Sequence, residues 1–234
     1  MHRFAGAHGL AALTAAALLA VAIWGGTLAA GAATNAIASQ SPSAILASAT
    51  SAINSVSTVR VAGSGLSGDT SISLDVHLVS GRGGEGTVGL NGLTFQFVVI
   101  GSEAYFKADA AFWKRFANQA VAQLAAGRWF KARTTGDYAS LAKFGSLHAL
   151  FGALLSAHGT LSKGALTTIR GQKVVPLTDQ PSGGTLYVAA TGKPYPVEIA
   201  NAHARGVIVI DSINQPVTLT APAGAIDISQ LQQG

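Results

Sequence analysis

Cysteine is absent from all 234 residues. That absence removes disulfide staples, zinc–thiolate and iron–sulfur ligation, and cysteine nucleophiles together. Charge is nearly as scarce: Asp, Glu, Lys and Arg make up 11% of the chain, against about 25% in an ordinary domain. With ten acidic residues in total, paired-carboxylate hydrolysis has little to draw on. Low charge implies disorder only where hydropathy is also low, and the mean hydropathy of +0.39 predicts a packed core.

The emptiest stretch is the first. From His2 to Val59 the only charged residue is Arg3. Leu10 to Trp24 is an apolar run behind that minimal basic segment, and small residues follow at Ala30-Gly31-Ala32 and Ala36-Ile37-Ala38. This is the pattern of an export signal. Leu10 to Ala33 also exceeds the roughly 20 apolar residues that span a bilayer, so residues 1–38 read as a signal peptide or an uncleaved N-terminal anchor. Residues 39–234 read as one domain. The chain is therefore expected outside the cytoplasm, in the cell envelope or beyond it. A lipid-modified cysteine cannot tether it, because Ala32 stands where that cysteine would be.

What charge exists is uneven. Seven basic residues between Lys107 and Lys143 face only Asp109 and Asp137. Export argues against nucleic acid as the partner, and no nucleic-acid-binding module occurs in the sequence. The choice is between a solvated basic face and an anionic membrane surface or lipid headgroup. Lys107, Lys114, Arg115 and Arg128 are the candidates for the latter.

Periodicity supplies the architecture. Ser41 and Pro42 read as an N-cap and first helical residue, with Ile45, Ala49, Ile53 and Val56 on one face. Ile72, Leu74, Val76 and Leu78 then alternate with polar residues, as in a half-buried strand. Asn91-Gly92 marks a tight hairpin. Two helices are expected next, each as one piece. The first is capped by Asp109, with a stripe of Phe112, Trp113, Phe116, Ala120, Val121 and Leu124. The second is capped by Asp137 and runs through Leu141, Phe144, Leu147, Phe151, Leu154 and Leu155. Six further strands, from Leu166–Arg170 to Val217–Thr220, are separated by turns too short for parallel crossovers. The expected fold is α+β: a large curled antiparallel sheet with helices packed in its concave face.

The order of these elements, with Gly101-Ser102-Glu103-Ala104-Tyr105-Phe106-Lys107, Phe112-Trp113, Gly127-Arg128-Trp129-Phe130-Lys131, Gly171-Gln172 and Gly192-Lys193-Pro194-Tyr195-Pro196, resembles the LolA-like half-barrel. The likeness is to the actinobacterial LppX/LprG-type lipid-binding lipoproteins and spans roughly Ser41 to Leu231. The resemblance implies binding or carriage of a lipid or lipoglycan. It also admits a protein-interaction or stress-sensor module of the same fold with a filled core, and an envelope transporter or other protein as partner. Leu93, Phe95, Phe97 and Val99, on one strand face, and Phe144, Phe151, Leu154 and Leu155 are the candidate cavity lining; the competing reading makes each of them ordinary core.

Catalytic signatures are thin. Gly81-Arg82-Gly83-Gly84-Glu85-Gly86 matches a dinucleotide fingerprint in letters, but a strand follows it where a helix is required, so it reads as a glycine-rich hairpin loop. His77, His148, His158 and His203 have no metal-ligand spacing, and no G-x-S-x-G elbow exists. No cofactor, metal or enzymatic activity is expected. A secreted hydrolase would require Ser, His and Asp to converge in space.

Overall fold

The computed structural model describes residues 34–231 apart from 117, 157 and 181. Of the expected export segment, 1–38, residues 1–33 lie outside the described residues. A short 3-10 turn, Ala36–Ser39, leads into helix α1, Pro42–Asn54, where the Ser41 hydroxyl accepts from the Ala44 N–H as its cap. Strands β1 (Thr58–Ser67), β2 (Thr70–Val79), β3 (Gly83–Leu90), β4 (Leu93–Ile100) and β5 (Glu103–Ala108) follow as a meander. Asn91 and Gly92 both take positive φ, 49° and 80°, as the two-residue hairpin between β3 and β4 demands. Helices α2 (Ala110–Phe116) and α3 (Gln119–Ala125) precede strand β6 (Phe130–Arg133). A long 3-10 segment, Gly136–Gly145, then leads to α4, Leu147–Ser156.

The rest of the chain is strand and turn. It comprises β7 (Leu161–Lys163), β8 (Thr167–Ile169), β9 (Gln172–Asp179), β10 (Gly184–Ala189), β11 (Pro196–Asn201), β12 (Gly206–Asp211), β13 (Ile226–Asp227) and the terminal turn α5 (Ile228–Leu231). The strands form one unclosed sheet in the order β13-β6-β5-β4-β3-β2-β1-β12-β11-β10-β9-β7, with β8 also on β9. Every pairing is antiparallel except β13 on β6.

Four local expectations are corrected. The first central helix is two: the chain breaks before Asn118, whose side chain accepts from the Val121 N–H and starts α3 afresh. The second is divided at Ser146, which caps α4 through the Ala149 N–H, while Asp137 lies inside a 3-10 segment rather than capping a helix. A cap that satisfies orphan N–H groups in mid-run competes with helix continuation. Gly83 to Gly86 belong to β3 instead of a loop. Val217–Thr220 forms no strand, and the short β7 and β13 do.

The core lies between the sheet's concave face and α1 with α4. Ile45, Ala49 and Ile53 of α1 and Leu147, Phe151 and Leu155 of α4 meet Val59, Val61, Val76, Leu78, Val175, Leu177 and Val188 of the sheet. The glycines of β3 give the 3-10 segment its seat. A Cβ on Gly84 would lie 2.6 Å from Leu78 Cδ2, and one on Gly145 would lie 2.7 Å from Val99 Cβ. Only side-chain-free residues fit there. On the convex face, Arg60 grips both carboxylate oxygens of Asp75 at 2.8 Å and reaches Asp211 at 3.2 Å. This pairing lifts the guanidinium further above its usual range and lowers the Asp75 carboxyl.

The segment before α1 is part of this packing. Ile37 is 3% exposed. Asn35 donates to the carbonyls of Ala189 and Gly192, both at 3.0 Å, and Lys163 Nζ donates to those of Ala38 and Gln40, both at 2.9 Å. Residues 34–38, which the sequence groups with the export segment, thus pack on the domain.

Candidate functional site

Antiparallel register sorts the concave face into transverse rows. One row runs from Ala108 through Phe95, Val88, Leu74, Gly63, Ile208, Ile199 and Leu186 to Leu177, each paired with the next. It is an unbroken apolar band across nine strands, β5 to β9, because every strand contributes its inward phase there. The neighbouring row, next to the β1–β2, β3–β4 and β11–β12 turns, pairs Leu93 with Leu90, Leu90 with Ile72, Ile72 with Gly65, and Gly206 with Asn201, which faces Gly184. Gly65 and Gly206 lie against each other: a Cβ on Gly65 would be 2.9 Å from Gly206 Cα. A row so poor in side chains leaves space in front of it.

That space is real. A cavity of about 210 Å³ lies over Gly65, Leu66, Ile72, Leu74, Ile199 and Ile208. It adjoins a second, of about 170 Å³, through shared walls at Ile199 and Asn201; Leu46, Leu154, Leu155, Leu161, Leu177 and Leu186 line the second. Leu46, His158 and Leu161 then separate this cavity from a wider groove of about 810 Å³ along the outer side of α1. Divided only by these shared walls, the three spaces follow one another as an interrupted trough from the turn-bearing end of the sheet, beneath α4, to the flank of α1.

Its polar neck is a turn. Asp179 accepts from the Gly159 N–H at 2.8 Å and from the Ser182 hydroxyl, and Gly183 N–H closes on the Asp179 carbonyl at 2.8 Å. The Ser182 hydroxyl, followed by the Gly159 N–H, holds the Asp179 carboxyl below the usual carboxylate range. Ser182, His158 and Asp179 all line the cavity, yet their order is not that of a nucleophilic triad. The serine proton goes directly to the carboxylate, and the His158 imidazole turns its Nδ1 to the Gly159 carbonyl at 2.9 Å. A triad needs the imidazole between the two. Among the described residues, no three His, Asp or Glu side chains gather as a metal site would require.

The candidate lining residues fall into two groups. Leu154 and Leu155 line the trough, and Leu93 is half-buried in the turn-side row. Phe95, Phe97 and Phe144 lie against one another, with ring centroids 5.4–6.4 Å apart. Val99 packs on Gly145, and Phe151 is sealed in the core at 1% exposure. The aromatic pile continues through Phe106, Trp113 and Phe130, and within it the Trp113 Nε1–H is buried with no acceptor among the described residues. Leu46, Leu161, Leu177, Leu186 and Ile199 are lining residues that the sequence did not single out.

Among the candidate cations, Lys107 points to the convex side and lies 4.9 Å over the Trp129 ring. Lys114 and Arg115 occupy the exposed last turn of α2, and Arg128 is exposed just past α3. Among the described residues no helix is long and apolar enough to cross a membrane.

No protein-family model matches this sequence, and no curated protein matches it. Solved structures do. The chain is similar to LprF from Mycobacterium bovis, with a TM-score of 0.54 at 14% identity over 78% of this chain and 97% of LprF. It is more loosely similar to the lipoprotein LppX of Mycobacterium tuberculosis, with a TM-score of 0.46 at 19% identity over 77% of this chain and all of LppX. The fold, α+β with a large unclosed sheet, is thus shared with LprF.

Proposed function

We propose that this chain is a non-enzymatic, exported cell-envelope protein that holds an acyl lipid in the concave trough. The observation that carries the reading is the apolar row from Phe95 to Leu177 with uncovered space in front of its Leu74–Ile208–Ile199–Leu186 portion. An acyl chain laid there gains about 0.8 kcal/mol per buried methylene. Asn201, Ser182 and the Gly184 backbone, at the junction and neck, supply polar partners for an ester or headgroup. The family resemblance points to lipid or lipoglycan as cargo, and the cysteine-free sequence offers no site for a cysteine-borne lipid anchor.

Native mass spectrometry of the protein as exported from a lipid-rich host tests this. Acyl-lipid adducts are expected that vanish on organic extraction. Ile199→Trp and Leu186→Trp, which fill the trough, should lose the adducts at near-normal melting temperature.

A second reading has its own observation. The two inner cavities, at about 170 and 210 Å³, are each smaller than the roughly 300 Å³ at which ligand pockets ordinarily begin, and the β4–β6 side is filled with aromatic rings. This suits a protein-interaction module. A clean apo mass, with no uptake from lipid vesicles, would transfer the assignment to it.

A further inference from the structure

Helices α2 and α3 expose what a packed helix pair normally hides. Phe116 is 52% and Leu124 70% exposed, although both belong to the apolar stripe that the sequence assigns to a single buried helix face. The break before Asn118 restarts the helix, so that Ala122 and Ala125 pack inward while Leu124 faces outward. Between Ala110 and Phe130 the chain carries Lys114, Arg115 and Arg128 and no acidic residue. Among the described residues none of these three cations is in an ion pair. The Arg115 guanidinium lies 5.9 Å from the Phe116 ring centroid, so charge and apolar tip share one surface.

We infer that the α2–α3 hairpin docks on a bilayer containing anionic lipid, with Phe116 and Leu124 inserted among the headgroups and Lys114, Arg115 and Arg128 on the phosphates. A protein partner fits this surface less well. Each helix has seven residues, about 10 Å of length, and two helices of about 10 Å diameter side by side present roughly 200 Å², far short of the roughly 800 Å² per side of a stable protein interface. Isolated apolar tips amid unpaired cations are what an interfacial membrane element presents.

The position gives the docking a consequence. α2 starts just beyond Ala108, which faces Phe95 in the apolar row. Phe112 bridges outward, 5.7 Å from Phe95 and 4.6 Å from Phe116 between ring centroids. An apolar track thus leads from the membrane-facing tip to the row that floors the trough. The docking itself does not depend on the trough's holding a lipid.

The absence of cysteine makes the test clean. Gln123→Cys, beside Leu124, and Thr168→Cys, exposed on β8 near the other edge of the sheet, each give the full chain one site for an environment-sensitive fluorophore. With phosphatidylglycerol vesicles the label at 123 should shift to the blue, and the label at 168 should not. Phosphatidylcholine vesicles should give little shift at either. Lys114→Gln combined with Arg115→Gln should raise the vesicle concentration for half of the shift about 25-fold, roughly fivefold per cation. Phe116→Ser with Leu124→Ser should abolish the shift; both side chains lie outside the core, and circular dichroism checks the fold. No shift at 123, an equal shift at 168, or unchanged binding by either double variant overturns the inference. A chain that docks this way but yields no lipid adduct keeps the inference and sinks the cargo reading; adducts without docking do the reverse.

Discussion

The two flanks of the half-barrel solve the same problem differently. On the β4–β6 flank, inward positions are large and flat: Phe95, Phe97, Phe106 and Phe130 stack with Trp113 and Phe144 over centroid distances of 5.4–6.4 Å, and the concave face fills. On the β9–β12 flank and the neighbouring β1–β2 hairpin they are aliphatic or glycine, namely Leu186, Ile199, Ile208, Leu74, Gly65 and Gly206, and gaps of about 170 and 210 Å³ remain. One pleat and one alternation serve both. Side-chain volume per row decides whether the sheet closes on its own core or leaves room for something else.

This contrast predicts unequal costs. The largest belongs to the filled side: Phe97→Ala should cost about 3–5 kcal/mol, whereas Ile199→Ala, whose wall already faces a gap, should cost less than about 2 kcal/mol. Equal losses in urea unfolding would erase the distinction. Next is the tight seat of the 3-10 segment. Gly145→Ala places a methyl against Val99 and should cost about 1–3 kcal/mol by overpacking, measured by the same midpoint shift.

A smaller effect belongs to the trough's neck and depends on pH. The folded Asp179 carboxyl titrates below its unfolded value of about 3.9. Its bonds to Ser182 and Gly159 therefore contribute fully above that value and are lost as the pH falls through the lower folded one. Thermal melts should show wild type losing stability on acidification below about pH 4, and Asp179→Asn, already weaker near neutrality, losing less. An identical acid slope in both would remove Asp179 from the neck. Smallest of all is Trp113→Phe. Burying an unpaired donor costs about 1–3 kcal/mol. Relief of that cost offsets the packing that the smaller ring gives up, so the net change should stay within about 1 kcal/mol by denaturant midpoint. A loss several times larger would mean that Nε1 has a partner in solution.

Much of the fold is local and was legible. Ser41-Pro42, the Ile72–Leu78 alternation and Asn91-Gly92 each specify their element through caps, pleat or turn chemistry within a few residues. The breaks before Asn118 and at Ser146 were not, because an apolar stripe continues through both and only a side-chain cap reveals the restart. The site was harder still. Alternation marks Leu186 and Ile199 as inward-facing, but which inward residues remain uncovered depends on how far α1, α4 and the 3-10 segment reach across the sheet. That is settled by close approaches such as Gly84 against Gly145, sixty-one residues apart in sequence.

The seating of residues 34–38 restricts where a peptidase could cut the chain. Of the two small-residue sites a peptidase could cut, the one ending at Ala38 lies beside the buried Ile37, with its carbonyl bonded to Lys163, whereas Ala30-Gly31-Ala32 precedes the described fold. Cleavage after Ala38 would therefore have to precede the seating of Ile37 in the core. Once the domain has closed, a protease would have to cut upstream of Thr34 or undo part of the core.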